Sequence, residues 1–209
     1  MLKKKQKAIF LDWAGTITDF LNFFYKIYKN VAKEINQKPK SKSQVKKDFT
    51  VPYMKFWNLH FPNLTKQHQD KLYQKFIKQL PLTSPLPNVK NTIAKLTKSG
   101  WMFFVTSSDP YERIVAEAKQ IGIYNYITET ASGLHDKIPA IKRLIKKYNV
   151  DAKNSFYIGD TIGDVEMGKK SELKTIAVTT GMNTTKRLKS SQPDYLINDF
   201  KKILKIANL

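Results

Sequence analysis

The chain contains no cysteine among its 209 residues, which excludes a disulfide framework, a thiolate metal centre and a thiol nucleophile. That absence fits a reducing compartment, and the expectation is a cytoplasmic protein. Long hydrophobic runs are missing as well. No stretch approaches the ~18 apolar residues of a membrane-spanning helix. The basic start MLKKKQK leads into the apolar run AIFL, which is too short for the hydrophobic region of a signal peptide. Histidine is scarce: His60, His68 and His135 lie far apart, share no metal-type spacing and read as surface or loop positions. Of these, His135 stands with Asp136 beside Lys137, where both could touch a substrate.

Acidic residues are few, 17 against 37 basic ones, for a net charge of +20. Such a balance concentrates anions of every kind near the surface. The lysines are spread through amphipathic segments with no aromatic-interleaved basic motif, so the charge predicts a solvated surface and by itself names no particular partner. A nucleic-acid site is not expected. A hydrophobic content of 41 % argues against disorder, and the length suits one domain, or a core domain with a smaller insert.

Short apolar runs suited to buried parallel strands recur at residues 8–11 (AIFL), 101–107 (WMFFVTS), 155–160 (SFYIGD) and 174–180 (KTIAVTT), with shorter ones at 124–129 and 194–199. Helical patterns lie between them, at Val89, Ile93 and Leu96 and at Ile138, Ile141, Leu144, Ile145 and Tyr148. This alternation predicts an α/β fold with a parallel sheet and helices on both faces. Residues 19–81 break the rhythm, reading as helices only, and PLTSPLPNV then supplies three prolines for a hinge-like return. The expected organisation is a core of residues 1–18 and 82–209 with an all-helical cap at 19–81.

Ligands of open α/β sheets sit at the carboxyl ends of strands. Asp12 ends the first strand, Thr106 and Ser107 the second major one, and Asp160 the one reading FYIGDTIGD. With these stretches in order, from FLDWAGTITD through FFVTSSD and DKIPAIKRL to YIGDTIGDVEMGKKS, the chain resembles the haloacid dehalogenase superfamily of hydrolases, phosphoglycolate phosphatases included. The resemblance implies a Rossmann-like core, a nucleophilic Asp12 that takes up a phosphoryl group, and Thr106 and Lys137 holding the phosphate. It also implies a late acidic pair for Mg2+. The chemistry agrees: a carboxylate attacking a phosphate dianion needs a hard cation between them and donors around the phosphate oxygens. Asp12, Asp160, Asp164 and the carbonyl of Ala14 would be the metal ligands. The hydroxyl of Thr106, the ammonium of Lys137 and backbone N–H groups near Trp13, Gly15 and Ser107 would meet the phosphate. Gly15 permits a turn and a close backbone approach, while the Trp13 ring is expected to pack at the strand end.

The resemblance fails at one position. Phosphatases of the superfamily usually carry a second aspartate two residues after the nucleophile, where this chain has Ala14. That aspartate protonates the leaving alcohol and later activates water, steps worth about 10²- to 10⁴-fold in rate. The expected function is therefore a magnesium-dependent phosphatase, impaired or specialised by Ala14, or recruiting another acid such as Asp19 or a cap residue. DWAGT also resembles the first motif of phosphonoacetaldehyde hydrolase, where a cap lysine forms a Schiff base. Lys55 stands at about the expected offset for that alternative. A further alternative is a non-catalytic anion or nucleic-acid binding protein. The expected assembly is a monomer or homodimer.

Overall fold

A computed structural model of the chain describes residues 5–50, 54–134 and 136–208. Its elements in chain order are β1 (Ala8–Leu11), α1 (Phe20–Glu34), α2 (Lys42–Asp48), α3 (Met54–His60), α4 (Lys66–Ile77), α5 (Val89–Lys98), β2 (Met102–Thr106), α6 (Tyr111–Ile121), β3 (Ile127–Ala131), α7 (Ile138–Lys147), β4 (Phe156–Gly159), α8 (Ile162–Lys170), β5 (Lys174–Val178), α9 (Thr185–Ser190), β6 (Tyr195–Ile197) and α10 (Lys202–Ile206). The strands form one six-stranded sheet in the order β3-β2-β1-β4-β5-β6, and every neighbouring pair runs parallel.

Strands covered on both faces read as continuous apolar runs rather than alternating ones, and β1 shows why. Ile9 and Leu11 face a cluster completed by Val89, Ile93 and Leu96 of α5 and by Ile114 and Ala118 of α6. Ala8 and Phe10 face the other way, against Ile141 and Leu144 of α7. The strand expected at 124–129 differs at its start: residues 124–126 form a single 3₁₀ turn, and pairing begins at Ile127. The chain moves from β1 outward to β2 and β3, then begins again on the other side with β4. The junction of β1 and β4 is thus the topological switch point, where open sheets of this kind leave a crevice.

Between β1 and α5 the described residues form four helices. Asp19 caps α1 by accepting the N–H of Asn22 at 3.3 Å, and Ser41 and Thr65 cap α2 and α4 in the same way. Their apolar faces share an aromatic cluster of Phe23, Phe24, Tyr28, Phe56, Trp57 and Phe61. Residues 51–53, part of the stretch read as helical, lie outside the described residues. The outgoing and returning connections run antiparallel: the N–H of Asp19 donates to the Ser84 carbonyl at 2.8 Å, and that of Leu86 to the Ile17 carbonyl at 2.9 Å.

A buried carboxylate fastens this junction. Glu117 of α6 is 1 % exposed and accepts from the Trp13 indole at 2.6 Å, the Thr83 N–H at 3.0 Å and the Arg113 guanidinium at 3.0 Å. Arg113 also donates to the Thr83 hydroxyl at 2.8 Å and lies 4.5 Å from the Phe23 ring centre. Glu117, together with Arg113, therefore ties the loop after β1, the returning connection and α1 to one another. Glu117→Ala strips the buried Trp13 and Thr83 donors and the half-buried Arg113 of their acceptor and is expected to cost about 3 to 5 kcal/mol. Glu166→Ala, on an exposed position of α8, should stay within about 0.5 kcal/mol. Denaturant midpoints of the two variants check this.

Candidate active site

Three adjacent strands, β2, β1 and β4, end at the switch-point edge in Thr106, Asp12 and Asp160. An oxygen from each of Asp12, Asp160 and Asp164 lies within 4.8 Å of the others, and the residues are 8 %, 1 % and 2 % exposed. A single lysine enters the group: Lys137 Nζ is 2.7 Å from Asp12 Oδ1 and 3.3 Å from Asp164 Oδ1. Lys137 occupies the position just before the first turn of α7, where the helix dipole disfavours a cation. The carboxylates beside it supply the compensating charge.

Three carboxylates around one ammonium leave an excess of negative charge in a buried space, which is costly. Burial, and then the neighbouring Asp164, outweigh the pull of Lys137 and push Asp12 up to about 7. Asp160 is held well above the usual carboxylate range by burial, then by Asp12 and Asp164. Burial alone would lower Lys137, but Asp12, Tyr157 and Asp164 together hold it well above the ordinary lysine value. The donor set is all oxygen, which suits magnesium, and the excess charge is what a divalent cation neutralises. These residues fit the ion.

Glycines make the packing of the carboxylates possible. A Cβ on Gly15, whose φ is +87°, would lie 2.5 Å from Asp160 Oδ2, and one on Gly181 would lie 2.0 Å from the same oxygen. The N–H of Met182 donates to that oxygen at 2.5 Å. Asp164 also caps α8, accepting the Thr161 N–H at 3.0 Å and its hydroxyl at 2.6 Å.

Several neighbours depart from the sequence expectation. The Gly15 N–H donates to the Thr18 carbonyl and the Ser107 N–H to the Ala131 carbonyl, both at 3.0 Å, so neither is free for a phosphate. Among the described residues, the N–H groups of Trp13, Ala14 and Ser108 have no protein acceptor. The Thr106 hydroxyl lies 3.3 Å from that of Tyr157, and Tyr157 is itself within 3.4 Å of Lys137 and of Asp164. Tyr157 and Thr16, whose hydroxyl donates to Asp12 Oδ2 at 3.4 Å, were not foreseen. Both hide in the motifs as ordinary strand and turn residues. His60 is buried, not on the surface: it lies 3.1 Å from the Tyr28 hydroxyl and 3.2 Å from Asp48 inside the insert. His68 is exposed, His135 lies outside the described residues, and Asp136 is exposed and accepts the N–H of Ile138.

The insert reaches this edge through α2. Lys46 is half-buried and donates to the Thr179 carbonyl at 3.1 Å, just after β5. Burial holds its pKa below the ordinary lysine value, against an upward pull from Asp160. Arg187 of α9 donates to the Phe49 carbonyl, and Met182 packs into the insert's aromatic cluster. Lys55, by contrast, is exposed on α3, and no hydrogen bond or ion pair among the described residues links it to the carboxylates. Asp19 is engaged in capping, with both oxygens bonded to Asn22.

The model of the haloacid dehalogenase-like hydrolases matches residues 9–178, from β1 to the end of β5. The chain belongs to this family. Phosphoglycolate phosphatase of Haemophilus influenzae is 26 % identical over 127 residues, covering 57 % of this chain and 56 % of that protein. The chain thus spans little more than half the length of such relatives. Phosphonoacetaldehyde hydrolase of Parabacteroides distasonis is 25 % identical over 214 residues, covering 86 % of this chain and 78 % of its own. Among solved structures, a haloacid dehalogenase-like hydrolase from Streptococcus pneumoniae superposes with a TM-score of 0.80 at 19 % identity, over 96 % of this chain and 98 % of that one. At that identity the likeness shows the fold.

The charge imbalance predicts a pH signature. Asp12 titrates near 7 when folded but near 3.9 when unfolded, so between those values the folded chain binds more protons. Its stability without metal should therefore fall as pH rises through that window. Magnesium competes with the same protons. Thermal melts with the ion and with chelator should show a larger magnesium shift at about pH 8 than at about pH 5; equal shifts would contradict the assignment.

Proposed function

We propose that this family member is a magnesium-dependent phosphatase that moves a phosphoryl group from a small phosphorylated metabolite to Asp12 and then to water. The observation that carries the reading is the convergence of an oxygen from each of Asp12, Asp160 and Asp164 within 4.8 Å of one another, with the ammonium of Lys137 paired to Asp12 and Asp164. Residues 1–18 and 82–209 would be the catalytic body, and residues 19–81 a cap that excludes water from the cleft. The ion would be held by Asp12, Asp160, Asp164 and the Ala14 carbonyl, and would offset the repulsion between a carboxylate and a phosphate dianion.

In this reading Asp12 attacks phosphorus, and Lys137 supplies a fixed positive charge to the phosphate oxygens. The unpaired N–H groups of Trp13, Ala14 and Ser108 supply neutral donors, and Thr106 and Tyr157 hold the lysine side of the pocket. Ala14 offers no proton, so the enzyme is specialised in where its acid comes from. A cytoplasmic setting, as monomer or homodimer, suits such a reaction, and the +20 charge favours capture of an anionic substrate.

A second reading is phosphonoacetaldehyde hydrolysis, favoured by Ala14 and by the longer alignment with the Parabacteroides enzyme. A carbon leaving group needs no proton from position 14. Lys46, half-buried and depressed in pKa, then suits Schiff-base chemistry better than the exposed Lys55. Phosphate release from a panel of phosphate monoesters and from phosphonoacetaldehyde separates the two. The phosphatase reading expects magnesium-dependent release from monoesters, lowered at least ~10³-fold in Asp12→Asn. Turnover of phosphonoacetaldehyde alone, with a borohydride-trapped adduct on Lys46, would replace it with the second reading.

A further inference from the structure

The proton that Ala14 cannot supply has another source at the same edge. After Thr106 ends β2, the chain runs through Ser107 and Ser108 to Asp109, before Pro110 introduces α6. Asp109 is held by three hydrogen bonds to two partners. Its N–H donates to Ser107 Oγ at 3.1 Å, the Ser107 hydroxyl returns a bond to Asp109 Oδ2 at 3.2 Å, and its carbonyl accepts the Gly133 N–H at 3.0 Å from the turn after β3. The carboxyl group is thus fixed three residues after Thr106 and next in sequence to Ser108, whose N–H has no protein acceptor among the described residues. Its other oxygen has no hydrogen-bond partner among the described residues.

The charged groups facing Asp109 are Asp12 and Lys137 on the cleft side and Glu117 and Arg113 on α6. None of the cations pairs with it among the described residues, although the chain carries 37 basic residues against 17 acidic ones. The two nearby cations are committed elsewhere: Arg113 to Glu117 and Thr83, and Lys137 to Asp12 and Asp164. Burial, reinforced by Glu117, outweighs the Ser107 bond, Arg113 and Lys137, so the group keeps its proton to higher pH than an ordinary aspartate. Other titratable groups are less well placed. Asp19 caps α1, and Lys46 is tied to the loop after β5, on the far side of β1 and β4 from β2.

We propose that Asp109 is the general acid and base of this site, taking the part that position 14 cannot play; the inference rests on the phosphatase reading. In the first step an Asp12 oxygen forms a bond to phosphorus while the bond from phosphorus to the leaving oxygen breaks. The electron pair stays on that oxygen, which takes the proton of the Asp109 carboxyl. In the second step the Asp109 carboxylate takes a proton from water as the water oxygen bonds to phosphorus. The Asp12–phosphorus bond breaks, its electron pair returns to Asp12, and Asp109 is protonated again. Each turnover leaves both aspartates as they began.

The test uses leaving-group dependence, which a merely structural role would not move. Asp109→Asn keeps the size of the side chain and an acceptor for Ser107. With magnesium, its kcat/KM on an alkyl phosphate such as glycerol 3-phosphate should fall roughly 10²- to 10³-fold, while p-nitrophenyl phosphate, whose leaving group needs no proton, changes less than about threefold. Adding Ala14→Asp to Asp109→Asn should restore most of the loss. A similar change on both substrates, or no change on either, overturns the proposal, as does Lys46→Ala reproducing the selective loss. A parent protein that frees no phosphate from either ester defeats the phosphatase reading itself, and this inference with it.

Discussion

Three carboxylates gathered round one ammonium, in a space nearly closed to water, is the arrangement from which the other features of the molecule follow. Opposite charges at 2.7 Å attract strongly, but the acids outnumber the lysine, and the desolvation cost of each buried ion is several kcal/mol. A chain selected for stability alone would place apolar side chains there. Here instead the backbone is cut away to admit the acids, with Gly15 and Gly181 leaving room on two sides of Asp160. Asp164 does double service as a helix cap, and Lys137 accepts the unfavourable end of α7. Conflicts of this kind between local preference and global fold mark functional positions.

Around this centre the helical insert is fastened rather than loosely appended. Glu117 joins Trp13, next in sequence to Asp12, to the returning connection and to Arg113 beneath α1. On the opposite side, α2 rests on the core through Lys46 and Arg187. Movement of the insert would therefore be felt at both ends of the carboxylate edge, by the strand that carries Asp12 and by the loop that supports Asp160.

Much of this was legible in the amino-acid sequence because parallel strands buried on both faces leave unmistakable apolar runs. The site aspartates stand where those runs stop. Lys137 was legible only through resemblance, since nothing local separates it from the other lysines. What escaped notice escaped for physical reasons. Tyr157 sits in an apolar strand, and only the fold brings its hydroxyl to Lys137 and Thr106. Glu117 is one acid on an amphipathic helix, 104 residues from the indole it accepts from. The N–H groups of Gly15 and Ser107 looked available until the turn and the loop were closed by Thr18 and Ala131. His60, read as a surface residue, lies inside the aromatic cluster of the insert because Tyr28 and Asp48 meet its two nitrogens.

The central claim is that Asp12 carries the phosphoryl group between substrate and water. The most direct measurement is mass spectrometry of the acid-quenched protein after brief mixing with a phosphate monoester and magnesium, with peptide mapping of any adduct. The account predicts a phosphoryl group on the peptide containing Asp12, present with magnesium and absent with chelator. Phosphate release at full rate with no adduct, or an adduct on another residue, would contradict it.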